Sequence, residues 1–398
     1  MKVSIVGGGV GGLTAAIALV RKGFDVQVLE QAATVDPVGA SLQLGPNALR
    51  LMDALGLLGA LREVGVRPDA VDFVRWDDGG LLLHTELGER AEAHFGAPQL
   101  DFFRPDLHRI LVDALPRGVL RLGQRVERVE QDVEGVDLWT AAGERIRADA
   151  AVAADGIRSQ LRQQLVGAES PAFSGTVVYR GVVPRQDVTG LHPDRLNFYW
   201  LGPYRHGVSY WISAGRLLAV NCAVQDASWS RESWTLEAPP EEAAQAFEGW
   251  HPPLLERIRR VRTLLRGAVF VRRPLEHWSF GRVTLLGDAA HAMEPFQAQG
   301  AAQAIEDAFV LAACLEVDEE VVAALRRYEE IRMRRAEELQ DSSASAANTF
   351  YLPDGEEQQR RDARYATLLE DLPFGTRQPI WEYDVRDALG DHTLKSPA

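Results

Sequence analysis

The sequence predicts an α/β protein of two connected domains, one built on a parallel sheet and the other on an antiparallel sheet, closed by C-terminal helices. Three observations carry that prediction. Residues 3–30 read strand, glycine-rich turn, helix, strand. Residues 175–224 hold four short runs in which apolar and aromatic residues alternate with polar ones. From residue 300 onward the pattern is alanine-rich and helical. At 398 residues the chain is also long for one hydrophobic core, which favours two domains.

The first element fixes the class of the first domain. VSIV (3–6) reads as a buried strand and runs into Gly7-x-Gly9-x-x-Gly12, then LTAAIALVRK, with Gly23 as the helix stop, then FDVQVLE ending at Glu30. This is a Rossmann-like dinucleotide fingerprint in its full context, not a loose glycine motif. Gly7 permits the tight turn, Gly9 lets backbone approach a pyrophosphate, and Gly12 lets helix and strand pack closely. The helix N-terminus offers free N–H groups and the positive end of its dipole to phosphates. Glu30, 18 residues past Gly12, suits the hydroxyls of an adenosine ribose and would clash with a 2′-phosphate. At this point FAD and NAD both remain open.

Two later strand ends carry acids. RIRADAAVAADGIRSQLR (145–162) ends an apolar run in Asp155-Gly156, and RVTLL (282–286) ends in Gly287-Asp288. An ordinary NAD dehydrogenase has no use for three glycine- or acid-tipped strand ends. Between them lie the antiparallel candidates GTVVYRGVV (175–183), RLNFYWLG (195–202), HGVSYWIS (206–213) and LLAVNCAV (217–224). Helical character returns at 241–262, a strand at 283–286 rejoins the first domain, helices cover about 300–347, and a helical tail follows.

Composition excludes several function classes. A net charge of −14 repels nucleic acid and anionic membranes. The Arg-rich stretches 256–267 and 325–339 read as solvated helix faces. Cys222 and Cys314 stand far apart, with no C-x-x-C and no H-E-x-x-H or G-x-S-x-G anywhere, so no metal site is expected and the cysteine usage fits a reducing cytoplasm. Residues 3–20 superficially resemble a secretion signal, with Ala16-Ile17-Ala18 as a cleavage mimic, but GGGVGG at 7–12 breaks the apolar helix such a signal needs. No uncharged run is long enough to span a bilayer.

G-x-G-x-x-G at 7–12, DG at 155–156, GD at 287–288 and the run GDAAHAMEPFQAQGAAQAIEDA together resemble the single-component (class A) FAD-dependent monooxygenases. The likeness extends over GASLQLGPNALRLMDALGL (39–57), FRPDLHRIL (103–111), YRGVVP (179–184) and RQPIWEYDV (377–385), and is nearest to salicylate, 3-hydroxybenzoate and 6-hydroxynicotinate hydroxylases. The resemblance implies a Rossmann-like FAD-binding domain of the GR2 flavoprotein type, with an antiparallel substrate domain and C-terminal helices. The FAD-binding domain would take 1–70, 98–172 and 268–340, the substrate domain 71–97 and 173–267, and the tail 341–398. It implies tightly bound FAD, NADH or NADPH as a transient co-substrate, O2, and hydroxylation of a small phenolic acid through a flavin hydroperoxide. The alternative is a tailoring oxygenase acting on a larger natural product. Monomer and homodimer stay equally open.

The site residues take the following expected roles, those of Arg104, Arg125, Val126, Leu42 and Gln43 being carried over from the family. Gly7, Gly9, Gly12, Glu30 and Asp155 belong to the cofactor motifs. Arg104 would meet the FAD phosphates or ribose, Arg125 and Val126 the adenine, and the Leu42–Gln43 backbone the flavin ring. Asp288 would bond the ribityl chain or its phosphate. Beyond Pro295, the helix starting at Gly300-Ala301 would point its amides at the flavin N1–C2=O edge, where reduced flavin is anionic. His206 is the candidate general base for the phenol, with Tyr210 and Gln297 as pocket candidates and His291 as a loop-ordering residue. Two departures from the family pattern stand out: Ala298 occupies a frequent glycine position in the loop, and Ser41 is the third residue of a segment that commonly reads G-x-G.

Overall fold

The computed structural model describes residues 1–35, 41–188, 190, 192–229 and 236–390. Strand Lys2–Val6 lies inside a six-stranded sheet. On one side it pairs in parallel with Asp25–Leu29, which pairs with Leu120–Arg121; on the other it pairs with Ala150–Ala153, which pairs with Val283–Leu285. The edge strand Ser279–Phe280 closes a hairpin. Helices cover this sheet, so its strands are apolar on both faces: Val3, Ile5, Val28, Ala151, Val152 and Val283 are fully buried. Helix Val10–Arg21 packs along helix Gly300–Val317. Because Lys2–Val6, Ala150–Ala153 and Val283–Leu285 are parallel neighbours, their C-terminal ends share one edge. The three motifs separated in sequence therefore meet there, at the place where open α/β sheets bind ligands.

The second large sheet has eight strands in the order Leu236–Ala238, Leu264–Val271, Ala172–Pro184, Leu217–Gln225, Arg205–Ile212, Leu196–Gly202, Ala70–Arg75, Leu81–Glu86. It is antiparallel except where Leu196–Gly202 meets Ala70–Arg75 in parallel. Its alternation buries both faces. Tyr199, Leu201, Val208 and Tyr210 face the C-terminal helices, while Trp200, Trp211, Leu218 and Cys222 face the helices after residue 239. Strand Leu264–Val271 stays in this sheet across the boundary expected at 267/268, its Val271 pairing with Ala172.

Two further small sheets complete the chain. Val126–Gln131, Val136–Thr140 and Arg145–Ala148 form a meander, and Ser41–Leu44 pairs with Leu100–Phe103. The helical stretch expected at 241–262 is two helices, Pro240–Ala246 and Pro252–Arg260, because Pro252 and Pro253 can start a helix but not continue one. The stretch expected at 300–347 is Gly300–Val317 followed by Val321–Phe350, a 30-residue helix capped by the Glu320 side chain. That helix crosses the 340/341 boundary expected for the tail, and Glu356–Asp371 and Gln378–Glu382 follow it. Residues 391–398 of the expected tail, and Gly39 and Ala40, lie outside the described residues.

Candidate active site

A cavity of about 670 Å3 runs from the glycine-rich turn to the eight-stranded sheet. At one end, Gly9 through Gly12, Asp155, Gly287 and Asp288 form its wall. The glycines there are required by geometry. Gly7 has φ +108°, and a Cβ on it would sit 2.2 Å from the Ala154 carbonyl oxygen. A Cβ on Gly12 would sit 2.1 Å from the Gly7 carbonyl oxygen, whereas one on Gly9 would meet nothing within 4 Å. Gly9 is thus open backbone at the N-terminus of helix Val10–Arg21, whose first N–H groups have no side-chain cap. Helix Gly300–Val317 likewise starts without a side-chain cap, and Gly300 and Ala301 line the cavity. Asp155 Oδ2 accepts the Gln160 N–H at 2.9 Å, while its Oδ1 is buried without a partner. Burial raises the Asp155 pKa.

The other end rests on the sheet, whose register orders the side chains in rows. Val178, Ala223, His206 and Leu201 form one row; Arg180, Asn221, Val208 and Tyr199 form the next; Ala219 and Tyr210 follow. His206 is 9% exposed, its Nδ1 has no hydrogen-bond partner, and burial lowers its pKa to about 3. The imidazole is therefore neutral at physiological pH, packed among Phe296, Phe350 and Tyr351 with centroids 5.4–5.5 Å away. Tyr210 donates to Ser41 Oγ at 2.9 Å, and Asn221 donates to the same oxygen at 3.0 Å. The serine that departs from the family pattern thus ties the small bridging sheet to the cavity floor.

A second polar group lies behind Tyr199. Its hydroxyl donates to Gln43 Oε1 at 2.7 Å and accepts from Arg377 Nη2 at 3.0 Å, and Arg377 Nη1 also donates to Gln43 Oε1 at 3.1 Å. Asp101, fully buried on the adjacent strand, accepts from Asn197 at 2.6 Å and Gln99 at 3.0 Å, and burial raises its pKa to about 7. Glu294 also lines the cavity, and burial raises its pKa to about 7.

The structure brings together on this one wall Gly9, Gly12, Leu42, Gln43, Arg104, Asp155, His206, Tyr210, Asp288, Pro295, Gly300 and Ala301. Gly7 supports the wall from behind through its turn. Glu30 lies at the neighbouring strand end, where its Oε2 accepts the Gly8 N–H at 2.6 Å and its Oε1 the Ala32 N–H at 2.8 Å. Arg125 and Val126 sit in the loop and strand beside it, joined by the Gln124 N–H to Glu30 carbonyl bond of 2.8 Å. Gln297 is not on the cavity wall. It closes a 3-10 turn packed on helix Val321–Phe350, and its amide donates to Ser342 at 3.2 Å. His291 is buried, bonded at 2.6 Å to Asp307, which also takes the Gly287 N–H at 3.0 Å and Arg332 at 2.8 Å. It orders the loop.

Sequence reasoning passed over Tyr199, Glu294, Asp101 and Arg377. Tyr199 was findable, since strand alternation puts it on the His206 face. No local pattern points to the other three.

The profile of a family described as FAD binding domain matches residues 1–343. The chain is 41% identical to 3-amino-4-hydroxybenzoate 2-monooxygenase of Streptomyces platensis, over 92% of each chain. It belongs to the FAD-dependent monooxygenases. The monooxygenase is also 36% identical to 6-hydroxynicotinate 3-monooxygenase of Bordetella bronchiseptica, over 85% of this chain and 89% of the relative. Its fold matches Klebsiella pneumoniae HpxO in complex with FAD and uric acid, with TM-score 0.84 and 28% identity over 98% of this chain and 96% of that one. FAD is the cofactor, as the family shows, and the residues present fit it. The open Gly9 backbone and two helix N-termini without side-chain caps line the cavity, and Asp155, with one buried oxygen left without a partner, lines it as well. No helix among the described residues of this monooxygenase is long and apolar enough to cross a membrane.

Proposed function

We propose that this monooxygenase hydroxylates a small aromatic acid bearing a ring hydroxyl, with NADH or NADPH as reductant and O2 as oxidant, in the cytoplasm. Bound FAD would supply the reducing equivalents and the activated oxygen. The protein's part is to bind, orient and deprotonate.

The observation that carries this reading is His206. It is a neutral imidazole among the residues that line the cavity, beside the rings of Phe296, Phe350, Tyr199 and Tyr210 that line it too. A phenol placed against it finds an acceptor for its proton, and a phenolate ring is the better nucleophile toward activated oxygen. Burial alone makes His206 a weak base, but the phenolate formed beside it offsets the desolvation of the imidazolium. Tyr210, held by Ser41, positions the ring. The relatives named for 3-amino-4-hydroxybenzoate and 6-hydroxynicotinate support a carboxylated, hydroxylated ring as substrate.

In this reading Gly9 and Gly12 with helix Val10–Arg21 hold the FAD pyrophosphate, and Arg104 meets its phosphates or ribose. Glu30 takes the adenosine ribose, and Arg125 and Val126 flank the adenine. Asp155 and Asp288 bond the ribityl side, the Leu42–Gln43 backbone meets the ring, and Gly300-Ala301 direct helix amides at it. The six-stranded sheet and its helices would thus form the cofactor domain and the eight-stranded sheet the substrate domain.

The test is to follow NADH and NADPH oxidation and oxygen uptake on the purified yellow protein with 3-amino-4-hydroxybenzoate, 3-hydroxybenzoate, salicylate and 6-hydroxynicotinate. Stimulation by one acid with stoichiometric hydroxylated product supports the reading. Indifference to all of them, with stimulation only by a larger aromatic, sinks it.

A further inference from the structure

The monooxygenase is acidic overall, yet Arg104, Arg158, Arg180 and Arg377 all line the cavity. Their surroundings differ. Arg180 closes one end of the Asn221–Val208–Tyr199 row, and the Arg104 charge helps lower its pKa after burial does, to about 10. Arg377 stands at the opposite end of that row, beside Tyr199, and comes from the C-terminal segment beyond the matched FAD-binding domain. Its two hydrogen bonds go to neutral oxygens, Gln43 Oε1 and the Tyr199 hydroxyl, and its guanidinium stands 5.6 Å from the Tyr199 ring centroid. The nearby acid, Asp101, is occupied by Asn197 and Gln99. A guanidinium has five N–H donors, so Arg377 keeps donors in hand on a cavity wall.

It is also held still. Arg377 caps the short helix Gln378–Glu382. Arg50 Nη2 donates to the carbonyls of Trp381 at 2.9 Å and Tyr383 at 2.7 Å, and Arg335 donates to Ile380 at 3.1 Å. A cation fixed by neutral partners, with its own backbone clamped, is pre-organised for an incoming anion.

We propose that Arg377 is the carboxylate anchor of the substrate cavity, a specificity-determining residue that selects aromatic acids over their neutral analogues. The inference rests on the aromatic-acid reading above and deepens it. Tyr199 pairs with Val208, two residues from His206 on the same strand face, and Arg377, Tyr199 and His206 all line the one cavity, so an acid seated on Arg377 shares that cavity with the imidazole.

The experiment is a binding cycle on the FAD-loaded enzyme, read from the change in flavin absorbance on titration. The ligands are 3-amino-4-hydroxybenzoate and its carboxamide; the proteins are wild type, Arg377→Gln and Arg377→Lys, each checked for FAD content. Wild type should bind the acid about 10- to 100-fold more tightly than the amide, the range of a hydrogen bond to a charged group. Arg377→Gln should abolish that preference while moving the amide by less than about threefold, and Arg377→Lys should retain part of it. Equal binding of acid and amide by wild type overturns the anchor, and needs no variant to fold. Equal weakening of both ligands in Arg377→Gln overturns it too. A wild-type preference for the acid without oxygen-coupled turnover would keep the anchor and retire the hydroxylase reading. Turnover of aromatic acids with acid–amide parity would do the reverse.

Discussion

Burial shifts two side chains away from their usual titration range. His206 is neutral because burial opposes its charge, and its proposed role is to take the phenol proton. Replacing it by Asn should cut substrate-stimulated, oxygen-coupled turnover by about 10²-fold with FAD still bound, and flatten the dependence of kcat on pH. Unchanged turnover would return His206 to packing. Asp101 behaves in the opposite sense. Burial raises its pKa to about 7, so between about pH 4 and 7 the unfolded carboxyl is ionised while the folded one keeps its proton. The folded state binds more protons across that window, and stability from this group falls as pH rises. In urea unfolding, wild type should lose stability relative to Asp101→Asn between pH 5 and pH 8; a pH-independent difference would contradict this. Neither group's state was legible in the sequence. Strand alternation placed His206 on a face, but only burial fixes its charge, and Asp101 acquires its meaning from Asn197, 96 positions away.

At the scale of elements, the strand–turn–helix fingerprint was fully legible, because its constraints are local. Gly7 needs a positive φ and Gly12 a missing Cβ. Gly12→Ala would press a methyl into the Gly7 carbonyl, and should cost about 1–3 kcal/mol and leave the purified protein deficient in FAD absorbance. The helix beginning at Gly300 was legible too, from GDAAHAMEPFQAQG and the alanine pattern. Its fastening was not. Arg332, from the next helix, bonds Glu306 and Asp307 at 2.8 Å each, and all three are buried. Arg332→Leu would leave two acids without their cation, and should cost about 3–5 kcal/mol of unfolding free energy. A loss under about 1 kcal/mol would show that the cluster is not what holds the helix and the GD loop together. Gln297, expected as a pocket candidate, lies off the cavity wall. The Pro295–Gln297 turn packs against Val321–Phe350, and a contact so distant in sequence directs the amide to Ser342.

Across the whole molecule, the two large sheets follow from hydrophobic period, while the cavity between them depends on what meets across it. Three parallel strand ends bring the dinucleotide turn, Asp155 and Asp288 to one edge, and the antiparallel sheet supplies His206, Tyr210 and Tyr199 opposite. The C-terminal segment adds Arg377 from far along the chain, which no local pattern could locate. The cavity is proposed to couple bound FAD to oxygenation of an aromatic acid. The most direct test is oxygen uptake by the yellow protein with NADH or NADPH, with and without 3-amino-4-hydroxybenzoate. A slow basal rate that rises sharply with the acid and yields one hydroxylated product per O2 is the expected result. A protein that stays colourless after incubation with FAD, or consumes NAD(P)H at the same rate with and without every aromatic acid tested, would overturn that coupling.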